Sequence, residues 1–167
     1  MNDKERPQQV EEKLKALGLT LPQPVKAPAG VKLPFSWVRV RGNRVFISGH
    51  PPQNPDGSIA GPLGKVGAEV SLEQGYQAAR LTALSILSDL KNALGDLDRI
   101  SAWLRVFGMV NAAPGFNQLP AVINGFSDLI IELYGPERGD HARSAVGLAE
   151  LPFNIPVEIE AEVEILD

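Results

Sequence analysis

Val157-Glu158-Ile159-Glu160-Ala161-Glu162-Val163-Glu164-Ile165 alternates without a fault. Strand side chains point to opposite faces in turn, so this stretch predicts a β-strand with one apolar face and one face of four carboxylates. Same-face neighbours on a strand stand about 7 Å apart, close enough for the carboxylates to repel unless water or cations screen them. The row therefore either faces solvent or lines a cavity of an oligomer. Arg39, Arg41, Arg105 and Arg143 also fall in strand-like runs, and cross-strand pairing with them would neutralise part of the row. The opposite, apolar face has to be covered by helices.

Working back from that strand, Ala142 to Leu148 and Ile100 to Val110 read as two more strands. Between them a helix is expected from Phe116 or Asn117 to Gly135, with Pro120 tolerated in its first turn and Ile123, Phe126, Ile130 and Leu133 on its apolar face. Ser71 and Gln74 form a capping-box pattern ahead of a stripe running from Ala78 to Leu94, and Gly95 marks its end. Phe35 to Arg41 and Arg44 to Ser48 read as a hairpin about Gly42-Asn43, residues that tolerate the positive φ of a tight turn. The Pro- and Gly-rich span from Gly49 to Gly67 predicts an irregular loop. Its Gly-Pro-Leu-Gly-Lys-Val at Lys65 lacks the glycine spacing and the hydroxyl residue of a phosphate loop. Val10 to Leu17 predicts a short amphipathic helix stopped by Gly18, and Thr20 to Pro34 an extended Pro-rich arm lying on the domain. The order of elements implies an α+β fold, a mixed β-sheet with two main helices packed on one face.

The 167 residues, 44% hydrophobic and 22% charged, suit one domain able to bury a core without disulfides or metal staples. With no cysteine, a disulfide framework, a thiolate nucleophile, an iron–sulfur cluster and sulfur-ligated zinc are excluded. His50 and His141 cannot form a three-histidine metal site, and no metal is expected. A net charge of −4, with only Arg39, Arg41 and Arg44 clustered, does not favour nucleic acid as a partner. Met1 to Pro7 are charged without an apolar run and do not read as a signal peptide, and no stretch reaches membrane-spanning length, so a reduced, cytoplasmic setting is expected.

Ala142-Arg143-Ser144-Ala145-Val146, followed by Leu151-Pro152 and Val157-Glu158-Ile159-Glu160-Ala161, resembles the C-terminal signature of the Rid/YjgF/L-PSP family. Gly42-Asn43-Arg44-Val45-Phe46-Ile47-Ser48-Gly49 resembles that family's first hairpin, and Val122-Ile123-Asn124 the part of its second helix that carries an Asn. The pieces stand in family order from about Phe35 to Asp167, in what reads as a divergent subgroup. The resemblance implies a chorismate-mutase-like fold, assembled as a homotrimer around a sheet-lined centre with clefts between subunits. The chain divides into an N-terminal helix and Pro-rich arm over 1–34 and a single RidA-like domain over 35–167. The implied activity is hydrolysis of reactive 2-imino acids and their enamine tautomers to 2-oxo acids and ammonia. It is that of a 2-iminobutanoate/2-iminopropanoate deaminase-like hydrolase without metal or cofactor, and its ligand is a small 2-imino or 2-oxo carboxylate. The alternatives are a non-catalytic trimer that binds small carboxylates or a protein partner, and a ribonuclease, against which the acidic balance argues.

Carried over by the resemblance, Arg143 binds the substrate carboxylate, a task its planar fork of donors suits, and Glu158 is the general base that holds the attacking water. Phe35, Ser48, Gly49, Asn124 and Ala145 match substrate-binding positions, with the backbone N–H of Ala145 and of Gly49 as donors. Each has a plainer reading from the residues alone. Arg143 could pair with the glutamate row, Glu158 could be one more tolerated glutamate, and Asn124 and Ser48 could satisfy local hydrogen bonds. Phe35 reads as a pocket wall, and His141, on the same strand face as Arg143, as a lone histidine without a chemical part. The chain departs from the family pattern where Ala145 replaces a frequent Cys, Phe35 a frequent Tyr and His50 a frequent Gln.

Overall fold

Helix α1, Gln9–Ala16, opens the computed structural model, which describes residues 9–25 and 27–167; the reading of the first seven residues lies outside them. Val10 and Leu14 of α1 are buried in the same core as the rest of the chain, and Gly18 takes the positive φ of +68° expected of the stop. The strands are β1, Val38–Arg41, β2, Arg44–His50, β3, Ile100–Asn111, β4, Ala142–Leu148, and β5, Val157–Ile165. They form one five-stranded sheet in the order β1-β2-β5-β3-β4. The β3–β4 pair is parallel and the other pairs are antiparallel, so the sheet is mixed and the fold α+β. A parallel pair needs a crossover, and α3, Leu119–Arg138, supplies it between β3 and β4.

Helix α2, Leu72–Leu94, begins with both bonds of the capping box: the Gln74 N–H donates to Ser71 Oγ, and the Ser71 N–H to Gln74 Oε1. It packs along α3 with almost no gap where Gly125 stands, since a Cβ there would lie 2.0 Å from the Tyr76 carbonyl oxygen. The two helices cover one face of the sheet. Val106 and Val110 of β3, and Val157, Ile159, Ala161 and Val163 of β5, are buried against them, with Trp103 stacked edge-on to Phe126 at 5.7 Å.

Several boundaries differ from the sequence reading, among them the end of β2, which runs past Ser48 to His50. The first strand starts at Val38, not Phe35, because regular pairing with β2 ends at Val38–Ile47; beyond it Ser48 bonds the Trp37 carbonyl with its N–H and the Ser36 carbonyl with its Oγ. Helix α3 starts at Leu119, later than Phe116 or Asn117, with Pro120 in its first turn where a missing N–H costs nothing. At Gly135, φ +80° breaks the helix and one turn through Pro136 follows to Arg138. In the hairpin only Gly42 needs a positive φ, +59°.

Candidate active site

The strand register fixes which face each candidate residue uses. Directly paired residues on neighbouring strands point to the same side. Arg143 pairs with Val106, whose side chain is fully buried under the helices, so Arg143 lies on the helix-covered face at the outer strand β4. There α3 meets it: Arg143 Nη1 donates to Asn124 Oδ1 at 2.9 Å and to Ser127 Oγ at 3.0 Å. Asn124 and Ser127 are three residues apart, on one face of the helix. His141 Nδ1 lies 2.7 Å from the Gly139 carbonyl oxygen and its Nε2 2.9 Å from Ser127 Oγ. That pairing is satisfied with the proton on Nδ1 and the Ser127 hydroxyl donating to Nε2, which turns the Ser127 lone pairs toward the guanidinium.

Both anchoring bonds of Arg143 use Nη1, and both acceptors are neutral. No carboxylate of the described residues pairs with it. Among the described residues no hydrogen bond uses the Nε–Nη2 edge, the side of a guanidinium that can make two parallel bonds to a carboxylate. Ala145 pairs with Gly108 on the same face and packs partly against the core.

Glu158 belongs to a different place. It pairs with Met109, one strand face away from Val106, and so stands on the face opposite to Arg143, with β3 between their two strands. Here β2 carries a bulge: Ile47 pairs with Ala161 and His50 with Ile159, leaving Ser48 and Gly49 to share the room of one residue. Gly49 leaves the Glu158 carboxyl its place, because a Cβ would lie 2.7 Å from Glu158 Oε2. Ser48 Oγ donates to the Ser36 carbonyl at 2.7 Å, and the Ser48 N–H to the Trp37 carbonyl at 3.0 Å. The bulge is clamped from beneath by His50, wholly buried, whose ring nitrogens meet the Ser48 carbonyl at 2.5 Å and Asp89 Oδ2 of α2 at 2.8 Å.

Glu158, Ser48, Gly49, Phe35 and Trp37 share the wall of one cavity of about 660 Å³. The half-buried carboxyl of Glu158 is pushed above its ordinary range, first by burial and then by Glu160, with His50 opposing. A carboxyl of raised pKa at the wall of a cavity is suited to take and return a proton. The structure thus gathers the predicted residues into two half-sites, Arg143 with Asn124 and Ala145, and Glu158 with Phe35, Ser48 and Gly49. One chain does not bring the halves together.

The glutamate row faces away from the helices. Arg44 forms an ion pair with Glu162, Ser101 Oγ donates to Glu164 at 2.8 Å, and Arg105 pairs in register with Glu162. Sequence reasoning missed Ser127, although its spacing from Asn124 carried the signal. It also missed the His50–Asp89 contact, for which residues 39 apart in sequence give none. Among the described residues no cluster of side chains could hold a metal ion, and no helix is long and apolar enough to cross a membrane.

A family profile described as "YjgF/chorismate mutase-like, putative endoribonuclease" matches residues 11–159. The chain belongs to the YjgF family. The Trypanosoma cruzi protein TCP17 is 40% identical over 152 residues, 91% of either chain. The crystal structure of Agrobacterium tumefaciens Atu1372, a protein of unknown function, is 40% identical, with a TM-score of 0.82 over 94% of this chain and 92% of that one. A "putative endoribonuclease" of Shewanella oneidensis is 30% identical, with a TM-score of 0.84 over 94% and 99%. The YjgF fold extends to E. coli TdcF with bound serine, at 20% identity and a TM-score of 0.57 over 86% and 99%.

Proposed function

We propose that this YjgF protein hydrolyses reactive 2-imino acids and their enamine tautomers to 2-oxo acids and ammonia, and that it does so as a homotrimer. The observation that carries the reading is the pair of half-sites: a guanidinium with its carboxylate-binding edge free, and a carboxyl of raised pKa in a cavity, each prepared for a ligand the other completes. Because they lie on opposite faces of one sheet, the complete site needs Arg143 of one subunit and Glu158 of another. The uncovered sheet face, with Phe46 45% exposed among Arg and Glu side chains, is the surface on which copies would meet.

In the proposed reaction Arg143 Nε and Nη2 hold the substrate carboxylate, and Asn124 and Ser127 keep the guanidinium plane fixed through Nη1. Glu158 takes a proton from water as its oxygen attacks C2 of the protonated imine, giving a carbinolamine. The carboxyl returns that proton to the amine nitrogen, the C–N bond breaks, ammonia leaves, and the hydroxyl proton is lost as the 2-oxo group forms. Atoms balance as imine plus water to 2-oxo acid plus ammonia, with no covalent enzyme intermediate. Such imines already hydrolyse in water, so orientation and proton transfer need supply only part of a typical enzymatic acceleration.

The test is to generate 2-imino acids with an amino-acid oxidase and follow ammonia and 2-oxo acid with and without the purified protein, alongside sedimentation velocity for its mass. Acceleration by a trimer is expected; rates never above buffer over a broad amino-acid panel overturn the reading. Phe35 brings no hydroxyl and Ala145 no thiol to the site, which favours a non-catalytic carboxylate-binding trimer as the second reading. Thermal stabilisation by 2-oxo acids without turnover selects it.

A further inference from the structure

The cavity beside Glu158 is far larger than the chemistry of one imine carbon requires. Its volume of about 660 Å³ falls in the range of pockets that enclose drug-sized ligands, about 300–1,000 Å³. A methyl or ethyl side chain would leave most of it to water.

Three segments distant in sequence build its walls, and most of what they present is apolar. Val25, Ala27 and Leu33 come from the Pro-rich arm, Ile59 from the loop after β2, and Phe153 and Ile155 from the turn before β5. The arm is fastened where it lies. Ser88 Oγ of α2 donates to the Pro22 carbonyl at 2.6 Å, the Gln23 N–H to the Pro55 carbonyl at 3.0 Å, and Gln53 Nε2 to the carbonyls of Gly57 and Gln23 at 3.0 and 3.3 Å. The cavity is therefore a formed feature of the chain.

Its rim carries a second signal. Phe153 and Asn154 are consecutive non-glycine residues in the left-handed region, at φ +55° and +57°, a conformation that costs a bulky side chain energy. The Gly64 N–H donates to the Asn154 carbonyl at 2.8 Å and Asn111 Nδ2 to Asn154 Oδ1 at 3.2 Å, holding the turn in place. The outcome is a phenyl ring 74% exposed at the cavity wall, where a relaxed turn would have no reason to keep it. Among the described residues the charged side chains on the lining are Glu158 and Asp56, both acidic.

We infer that this cavity is the side-chain subsite of the substrate, and that the protein prefers 2-imino acids with large apolar side chains, branched aliphatic or aromatic, over those with a methyl or ethyl group. The inference rests on the deaminase reading, which puts the reacting carbon at Glu158 and so points the side chain into the space beyond it.

Two measurements test it. Calorimetric titration with the product analogues pyruvate, 4-methyl-2-oxopentanoate and phenylpyruvate needs no turnover, and Kd is expected to fall about tenfold or more from the first to the other two. The coupled oxidase assay should give kcat/KM about tenfold or more higher for leucine- and phenylalanine-derived imines than for the alanine-derived one. Ala27→Trp, which sets an indole into the cavity from an exposed position, is expected to erase that ratio in both measurements. Pyruvate bound as tightly as phenylpyruvate overturns the inference, as does an unchanged ratio in Ala27→Trp. Hydrolysis with the alanine-derived imine preferred also overturns it, and leaves the deaminase reading standing. Tight binding of the bulky acids with no hydrolysis of any imine supports the apolar subsite and overturns the deaminase reading alone.

Discussion

Replacing Arg143 by Lys keeps the charge and removes the fork. In the wild-type protein Nη1 is spent on Asn124 and Ser127, at 2.9 and 3.0 Å, and the Nε–Nη2 edge is left to make two parallel bonds to a substrate carboxylate. A lysine ammonium sits at one point. If it turns to the carboxylate it abandons the anchors on α3, and if it keeps the anchors it offers the substrate at most one bond. The loss is one hydrogen bond to a charged group, about 1.5–3 kcal/mol, and the partial exposure of Arg143 sets it near the lower end. At about 1.4 kcal/mol per factor of ten, kcat/KM should fall roughly ten- to thirtyfold. The fall should lie mainly in KM, because the carboxylate is bound alike in ground and transition states. Arg143→Ala removes charge and fork together and should cost about 2–5 kcal/mol. Initial rates over a range of oxidase-generated imine concentrations measure both variants, and circular dichroism melts should stay close to wild type, since Arg143 joins no ion pair among the described residues. A Lys variant with wild-type KM refutes the fork; wild-type kinetics in the Ala variant removes Arg143 from the site.

Glu158→Gln should lower kcat by about 10²–10⁴ as the proton carrier is lost. It should also stabilise the protein at neutral pH. Burial and Glu160 raise the folded-state pKa above the ordinary 4.5, so the unfolded chain releases this proton first, and stability is lost as pH rises through the raised value. The gain in melting temperature should appear at pH 7 and vanish below about pH 4; a gain independent of pH contradicts the cause given. Gly49→Ala should change stability little, because the added methyl meets the movable end of Glu158 at 2.7 Å, yet activity should drop as the carboxyl is displaced; unchanged rates would separate Glu158 from the chemistry. Asp89→Ala leaves Nε2 of the buried His50 ring without its carboxylate and should cost about 2–4 kcal/mol, read as a lower urea midpoint. A shift under about 0.5 kcal/mol would mean that the clamp beneath the bulge carries no stability.

How much could be read in advance depended on how local each cause is. The capping box of α2 and the bounds of β5 were legible because a hydrogen bond three residues long, or a strict alternation, is written in contiguous residues. The start of β1 was not, because regular pairing stops at Val38–Ile47, where the partner strand β2 enters its bulge. Within the candidate site, motif residues pointed to Arg143, Asn124, Glu158, Ser48 and Gly49, but not to their grouping. Periodicity says that Glu158 and Glu160 share a face. It says nothing about whether Arg143 shares it, since that depends on how β4, β3 and β5 align, and a slip of one residue would reverse the answer.

By itself, then, the sequence determined the elements, the α+β class and the chemical inventory, because propensity, capping and side-chain type act over a few residues. Only the tertiary structure decided that Arg143 and Glu158 stand on opposite faces, that His50 and Asp89 meet beneath the bulge, and that the Pro-rich arm walls a cavity beside Glu158. Those facts come from strand register and from packing between segments far apart in the chain, where the energy belongs to the contact and no single stretch of residues carries it.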